Sequence, residues 1–427
     1  LVRQIPILTQ TDVLVVGGGP SGFAAACSSA RMGVKTLLVE RYGFLGGMAT
    51  AGLVNPFMIS RVSGRDIIGG VFAEVVDELK KRGAAEEGEL FSQPHIFFDH
   101  EILKSVLLDL AVESQAKLVL HSFLGGVITK ENEIKGVIVQ SKSGEGRILA
   151  KVVIDATGDG DVASMSGATC YRGRPEDYLM QPATLNFKLG GVDENKMPSR
   201  DDINKIYGNA KNEGRIKNPR ENVLWFKALR QGEIHFNSTR VTKIDGTKAA
   251  DLTKAEIEGR RQVMELFGFL KKDVPGFESS YLLATGPQIG IRETRRIKGE
   301  YTLTEKDIVE SGKFKDVICM ASYPIDVHSP SGEGTVFEPL PEGASYDIPY
   351  RCLLPKEITG LLVSGRAISV SHEALSSTRV MPTCMAIGQA AGVAGALSVL
   401  RKTSPKKVDI ADLQKELKEQ GAIIDNR

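Results

Sequence analysis

Apolar residues in this chain recur at two spacings. Short, nearly continuous runs occur at 12–16 (DVLVV), 35–40 (KTLLVE) and 360–364 (GLLVS). Such runs suit strands buried on both faces of a parallel sheet. Between the first two lie the glycine cluster 17–22 (GGGPSG) and a small-residue segment, 24–32, that predicts a helix closed by Gly33. The opening therefore reads as a βαβ unit, and the expected fold class is α/β.

A 3.6-residue spacing governs 70–82, through Val71, Phe72, Val75, Val76 and Leu79, and 101–115, through Ile102, Leu103, Val106, Leu107 and Leu110. Both predict amphipathic helices. Segments 117–121, 127–129, 134–141 and 147–154 then alternate with turn residues, as a small β-meander feeding a buried strand at 152–155. Further helices are expected at 255–269, at the Ala/Gly-rich 385–400 and at 409–420. The stretch 172–345 is more charged and punctuated by Gly and Pro. It reads as an insertion, which makes 1–171 and 346–427 two parts of one discontinuous domain.

Composition narrows the function. Lys and Arg total 54 against 53 Asp and Glu, a net charge of +1 over 427 residues, so no global field gathers nucleic acid or anionic lipid. Charged ligands must be recognised locally. Five widely spaced cysteines without a C-x-x-C pair argue against a disulfide framework or a zinc site, and point to a reducing, cytoplasmic setting. No metal site is expected. No unbroken apolar run reaches the roughly 18 to 20 residues of a membrane span, and a leader upstream of Leu1 is left open.

The strongest local motif is Gly17-x-Gly19-x-x-Gly22 between strand and helix, with Glu40 closing the next strand 18 residues after Gly22. Gly17 permits the tight turn, Gly19 lets backbone approach a pyrophosphate, and Gly22 lets the helix pack on the strand. The free amides of a helix N-terminus then face the anion. Glu40 is placed to accept hydrogen bonds from a ribose diol. The motif implies a dinucleotide without separating NAD from FAD.

Three stretches together, 12–47, 153–163 (VIDATGDGDVA) and 360–395 (GLLVSGRAISVSHEALSSTRVMPTCMAIGQAAGVAG), resemble the bacterial FAD-dependent oxidoreductases of the glutathione-reductase-like flavoprotein superfamily, distant kin of succinate dehydrogenase and fumarate reductase flavoproteins. The resemblance implies a Rossmann-like, discontinuous FAD-binding domain carrying an inserted α+β substrate domain. It also implies roles. Gly17, Gly19, Pro20, Ser21 and Gly22 would hold the pyrophosphate and Glu40 the adenosine ribose, with Arg41, Gly46 and Gly47 beside them. Leu124 would offer backbone to the adenine, and Ala156, Thr157 and Gly158 would pass against the cofactor. Gly365 and Arg366 would touch the ribityl chain, and the helix starting near Pro382 and Thr383 would aim its dipole at the flavin. With no C-x-x-C, no second G-x-G-x-x-G and no His between Glu40 and Gly70, disulfide reduction, pyridine-nucleotide binding and a histidyl-linked flavin are all disfavoured. Non-covalent FAD is expected.

For chemistry two constellations stand out: Arg292-Glu293-x-Arg295-Arg296, and His372-Glu373 with Arg379. His372 or Glu373 would remove a hydroxyl or amine proton as hydride leaves a small polar or anionic substrate, with Arg292 and Arg379 positioning it. The arginine run equally fits a salt-bridged helix face, and Cys384 a packing residue. Two alternatives stay open: reduction of an activated double bond with an arginine as proton donor, as in fumarate reductases, or electron relay without catalysis. The electron acceptor is unknown, and a homo-oligomer is left open.

Overall fold

The computed structural model describes residues 5–90, 93–332 and 334–425. Its centre is a parallel sheet. Ile7–Val16 lies between Thr36–Val39 and the second half of Gly144–Asp155, with Lys117–Val119 added beyond the former and Leu361–Val363 beyond the latter. Val13 to Val16, Leu37 to Val39 and Val152 to Ile154 are all buried, which is why these strands read as unbroken apolar runs. The first half of Gly144–Asp155 turns to a different partner. It pairs antiparallel with Glu133–Ser141, which pairs with Phe123–Lys130, forming the meander.

Two helices of the main sheet, one near each end of the chain, begin four residues earlier than the periodicity implied. Helix Pro20–Arg31 starts at a proline, and Met381–Leu400 starts one residue before Pro382; proline has no amide to donate and its fixed φ suits a first turn. The two helices cross at backbone contact. A Cβ at Gly388 would fall 2.0 Å from the Ser21 carbonyl oxygen, and one at Gly392 would fall 2.2 Å from that of Ala25. Met381–Leu400 is long and apolar enough to cross a membrane by length and composition, yet it is buried from Met381 to Ser398 except at Ala386. Here its apolar surface faces protein.

The stretch 183–291 has its own antiparallel sheet, ordered Trp225–Lys227, Ile234–Phe236, Phe187–Gly190 and Tyr281–Thr285. Helices Arg200–Asn212 and Ala249–Asp273 supply Ile203, Tyr207, Val263 and Leu266 to its separate core. That core draws on residues from Ala183 to Ile291, a narrower span than 172–345. Leu303, Ile308, Ile318 to Ala321 and Ile325 instead pack into the main core, because the strand Val317–Ala321 lies against helix Met381–Leu400. Arg292 to Arg296 is not a helix face: Arg295–Ile297 is a strand paired with Cys170–Arg172. Periodicity also missed the short helix His372–Thr378, whose start is fixed by the Ser371 hydroxyl accepting from the Ala374 amide at 3.1 Å.

Candidate active site

The glycines of the first turn do two different jobs. Gly17 has φ +101°, and a Cβ there would fall 2.4 Å from the Ala156 carbonyl oxygen; at Gly22 it would fall 1.8 Å from that of Gly17. These two positions enforce the turn. Gly19 is open, with the nearest atom to a Cβ at 3.9 Å, the Gly47 Cα. Since Gly19 caps helix Pro20–Arg31 with no side chain, the first-turn amides face this open space. Gly46 donates to the Gly18 carbonyl at 2.8 Å and so holds the opposite wall.

Glu40 is buried, and its orientation is fixed by two backbone donors, Gly18 N–H at 2.6 Å and Tyr42 N–H at 2.9 Å. Each carboxylate oxygen thereby keeps a lone pair for a ligand hydroxyl. Arg41 and the Tyr42 hydroxyl both donate to the Gln288 side-chain oxygen, which ties this edge to the 183–291 stretch.

The far wall follows the strand end at Asp155. Its carboxylate accepts from Ala163 N–H at 2.9 Å, Thr157 N–H at 3.1 Å and the Thr157 hydroxyl at 2.7 Å. Burial lifts the carboxyl to about 6 against the pull of those donors. Asp159 accepts from Arg366 at 2.5 Å and from the Thr294 hydroxyl at 2.9 Å. The Arg366 guanidinium lies over Gly158, where a Cβ would sit 3.1 Å from it. Ser21 and Ser364 share a hydrogen bond between their hydroxyls, joining the two ends of the chain.

These walls enclose a cavity of about 410 Å³ running from Glu40, Arg41 and Leu124, past Gly17, Gly19, Pro20, Ser21, Gly47, Ala156, Thr157 and Gly158, to Gly365, Arg366, Arg379 and Cys384. Gly22 and Gly46 are absent from its lining and serve by holding the turn and loop; Pro382 and Thr383 are absent as well, although Met381 lines it. A larger groove of about 720 Å³ lies elsewhere, beside helix Val71–Lys81. Its basic residues are paired with acidic neighbours, Arg31 with Glu74, Arg61 with Asp66 and Lys80 with Glu87, and no glycine cradle opens into it.

The four residues singled out for chemistry separate in space. Arg379 lines the cavity, whereas His372, Glu373 and Arg292 do not. His372 is buried with Nδ1 at 2.9 Å from Glu293, and its Nε2 has no partner among the described residues. Glu293 also accepts from the Gln181 amide at 2.9 Å and from Arg296, so the histidine belongs to a buried charged node. Glu373 is half-buried, within electrostatic reach of Arg296. Arg292 donates to the Pro182 carbonyl at 2.8 Å and the Thr184 hydroxyl at 2.6 Å. Burial pushes its pKa well down, helped by the charges of Arg379 and Arg220. Burial pushes the Cys384 thiol up to about 12, which fits packing and not nucleophilic use.

A model of the FAD dependent oxidoreductase family matches residues 12–417. The chain belongs to this family. Among proteins of known activity, this oxidoreductase is 33% identical over 168 residues to a thiamine thiazole synthase of Methanococcus vannielii, a match spanning 37% of this chain and 60% of that one. Over 45 residues it is 53% identical to a dihydrolipoyl dehydrogenase of Trypanosoma brucei brucei, 10% of this chain and 9% of that one. Among solved structures, a geranylgeranyl bacteriochlorophyll reductase-like protein of Thermoplasma acidophilum gives a TM-score of 0.49 at 13% identity, covering 96% of this chain and 83% of that one.

The oxidoreductase's cofactor is FAD, and the residues present fit it. An open glycine before an uncapped helix N-terminus suits a diphosphate, and the fixed Glu40 carboxylate suits a ribose diol. Sequence reasoning missed the lining residues Tyr42, Asp159 and Gln288, and singled out Arg295 only as part of the arginine run. None belongs to a contiguous motif; only the acidic run within DATGDGD hinted at Asp159.

Proposed function

We propose that this family member binds FAD non-covalently and transfers a hydride between it and a small polar or anionic organic substrate. The observation carrying this reading is that one cavity joins the glycine cradle to Arg379 and Cys384. No histidine lines that cavity among the described residues, which supports a non-covalent flavin. The match to dihydrolipoyl dehydrogenase supports kinship with the glutathione-reductase-like superfamily. The separate core of Ala183 to Ile291 supports an inserted substrate unit of about that extent, and five free cysteines support a reducing, cytoplasmic setting.

FAD supplies the two-electron acceptor. The amides of Ser21 and Gly22 would hold its diphosphate, Glu40 would accept from its ribose, and Arg366, which lies over Gly158, would meet its ribityl chain. The start of helix Met381–Leu400 would favour negative charge on its ring system. Arg379 holds the substrate's anionic group. Glu293 would fix the His372 tautomer with the proton on Nδ1; because His372 lies behind the cavity wall, its buried Nε2 would take the substrate's hydroxyl or amine proton only through a group that reaches the cavity.

A second reading, reduction of an activated double bond, draws support from Arg379 lining the cavity while His372 does not. In that direction Arg379 would deliver the proton. Anaerobic mixing of the yellow protein with alcohols, amines and hydroxy acids tests the first reading: bleaching of the flavin bands supports oxidation. Reoxidation of dithionite-reduced protein by enoates supports the second. Protein inert to both panels would overturn both and leave electron relay.

A further inference from the structure

We infer that the groove beside helix Val71–Lys81 is a second binding site, separate from the FAD cavity, for a small organic cation with an aliphatic body, such as an alkyl diamine. Its argument does not depend on the reaction proposed above.

The groove's volume of about 720 Å³ suits one small molecule, and it shares no lining residue with the FAD cavity. The two sites are distinct. Along the helix, Phe72, Ala73, Val76 and Asp77 recur at helical spacing and so present one face to the groove. His95 enters from the hairpin strand Gln93–Phe98, and Glu419 and Gln420 from the end of helix Ile410–Glu419. Ile68, Phe72 and Val76 give the lining an apolar part against which an alkyl chain can pack.

The polar groups left over all ask for a donor. Arg31, Arg61 and Lys80 stand within 2.8 Å of Glu74, Asp66 and Glu87, so the cations of the lining are already answered. Five carboxylates line the groove against these three cations, an excess of two negative charges. Asp77 has no ion pair among the described residues, and Glu419 has only the exposed Lys415 at 3.8 Å, a contact worth little. His95 is only 4% exposed, and its Nδ1 stands 2.7 Å from the Gln93 carbonyl, which can only accept, so the proton lies on Nδ1. Burial holds the imidazole below its usual pKa and therefore neutral. Nε2 then carries a lone pair that no group among the described residues takes. The Gln420 side-chain oxygen is a second buried acceptor without a partner among the described residues, while its amide donates to the Ser28 carbonyl at 3.3 Å. Buried acceptors left unmet are costly, and an ammonium group supplies three N–H donors with the charge that Asp77 and Glu419 lack. A bare metal ion fits less well, since no group of three His, Cys, Asp or Glu among the described residues could hold one.

The test is calorimetric titration of the FAD-loaded protein with cadaverine, pentylamine, the neutral pentanediol and magnesium chloride. Cadaverine should bind at least tenfold more tightly than pentylamine, without releasing flavin, and pentanediol should give no binding. Magnesium should neither bind nor displace the diamine. Asp77→Asn, at an exposed position, should weaken cadaverine at least tenfold with flavin content and melting temperature unchanged, and Glu419→Gln serves as a second variant with a loss in the same direction. Pentanediol binding as tightly as cadaverine, displacement of the diamine by magnesium, release of flavin by the diamine, undiminished binding by both variants, or no binding of cadaverine would each overturn the inference. Protein that never takes up FAD would overturn the flavoenzyme reading instead, and its titration with cadaverine would still report the groove.

Discussion

The two ends of the cavity are built by different physics. At the Gly17 end the wall is steric and made of backbone: two glycines enforce a turn that no side chain tolerates, and a third leaves room above a helix N-terminus. At the Arg379 end the wall is charged and made of side chains from segments far apart in sequence, with Arg379 3.8 Å from Asp326. The first kind of site is local, so it survives as a motif. The second exists only after folding, and its residues are spaced by nothing a sequence displays.

If this contrast holds, damage should differ at the two ends. Replacing His372 with Ala should slow reduction of the flavin by substrate about 10²- to 10⁴-fold, without loss of FAD; stopped-flow bleaching compared with flavin content per chain reads this. An unchanged rate would remove His372 and Glu293 from the chemistry. At the other end Gly22→Val should act on the fold itself. Its side chain would collide with the Gly17 carbonyl, and overpacking of this kind costs about 3 kcal/mol, visible as a lower urea midpoint and colourless protein.

Asp155 sharpens the comparison, since it underlies the cofactor wall with a carboxyl raised by burial to about 6. A raised carboxyl contributes stability fully below its unfolded value, near 3.9, and loses it as pH rises through 6. The loss should be on the order of 2–3 kcal/mol. Asp155→Asn should remove that part of the slope between pH 4 and 6 in thermal melts, and an unaltered slope would contradict the assignment. The smallest effect is expected for Glu40→Ala, about tenfold weaker FAD retention or ~1.4 kcal/mol, measured by titrating the apoprotein; flavin chemistry should persist once the variant is reloaded.

Much of the cofactor half was legible because burial on both faces leaves apolar runs such as 12–16, and because Gly17, Gly19 and Gly22 have no substitutes in that turn. Helix ends were less legible where no proline pattern was used: the small residues after Gly19 concealed the start of Pro20–Arg31, whereas Pro382 marked the start of Met381–Leu400 to within one residue. The arginine-rich stretch near 292 was misread as a possible helix because charge spacing alone cannot tell a helix face from Arg295–Ile297 pairing with Cys170–Arg172. Tyr323 and Asp326 carried no signal at all. They meet Arg379 only through the packing of separate segments.

The central claim is that the FAD diphosphate sits over Gly19 at the start of helix Pro20–Arg31. Titration of FAD into apoprotein, wild type against Gly19→Val, tests it directly. A Cβ at this position meets no atom closer than 3.9 Å, so the variant should keep its circular dichroism and melting temperature while losing at least about a hundredfold in FAD affinity, or ~2.7 kcal/mol. A folded Gly19→Val protein that binds FAD as tightly as wild type would contradict the account.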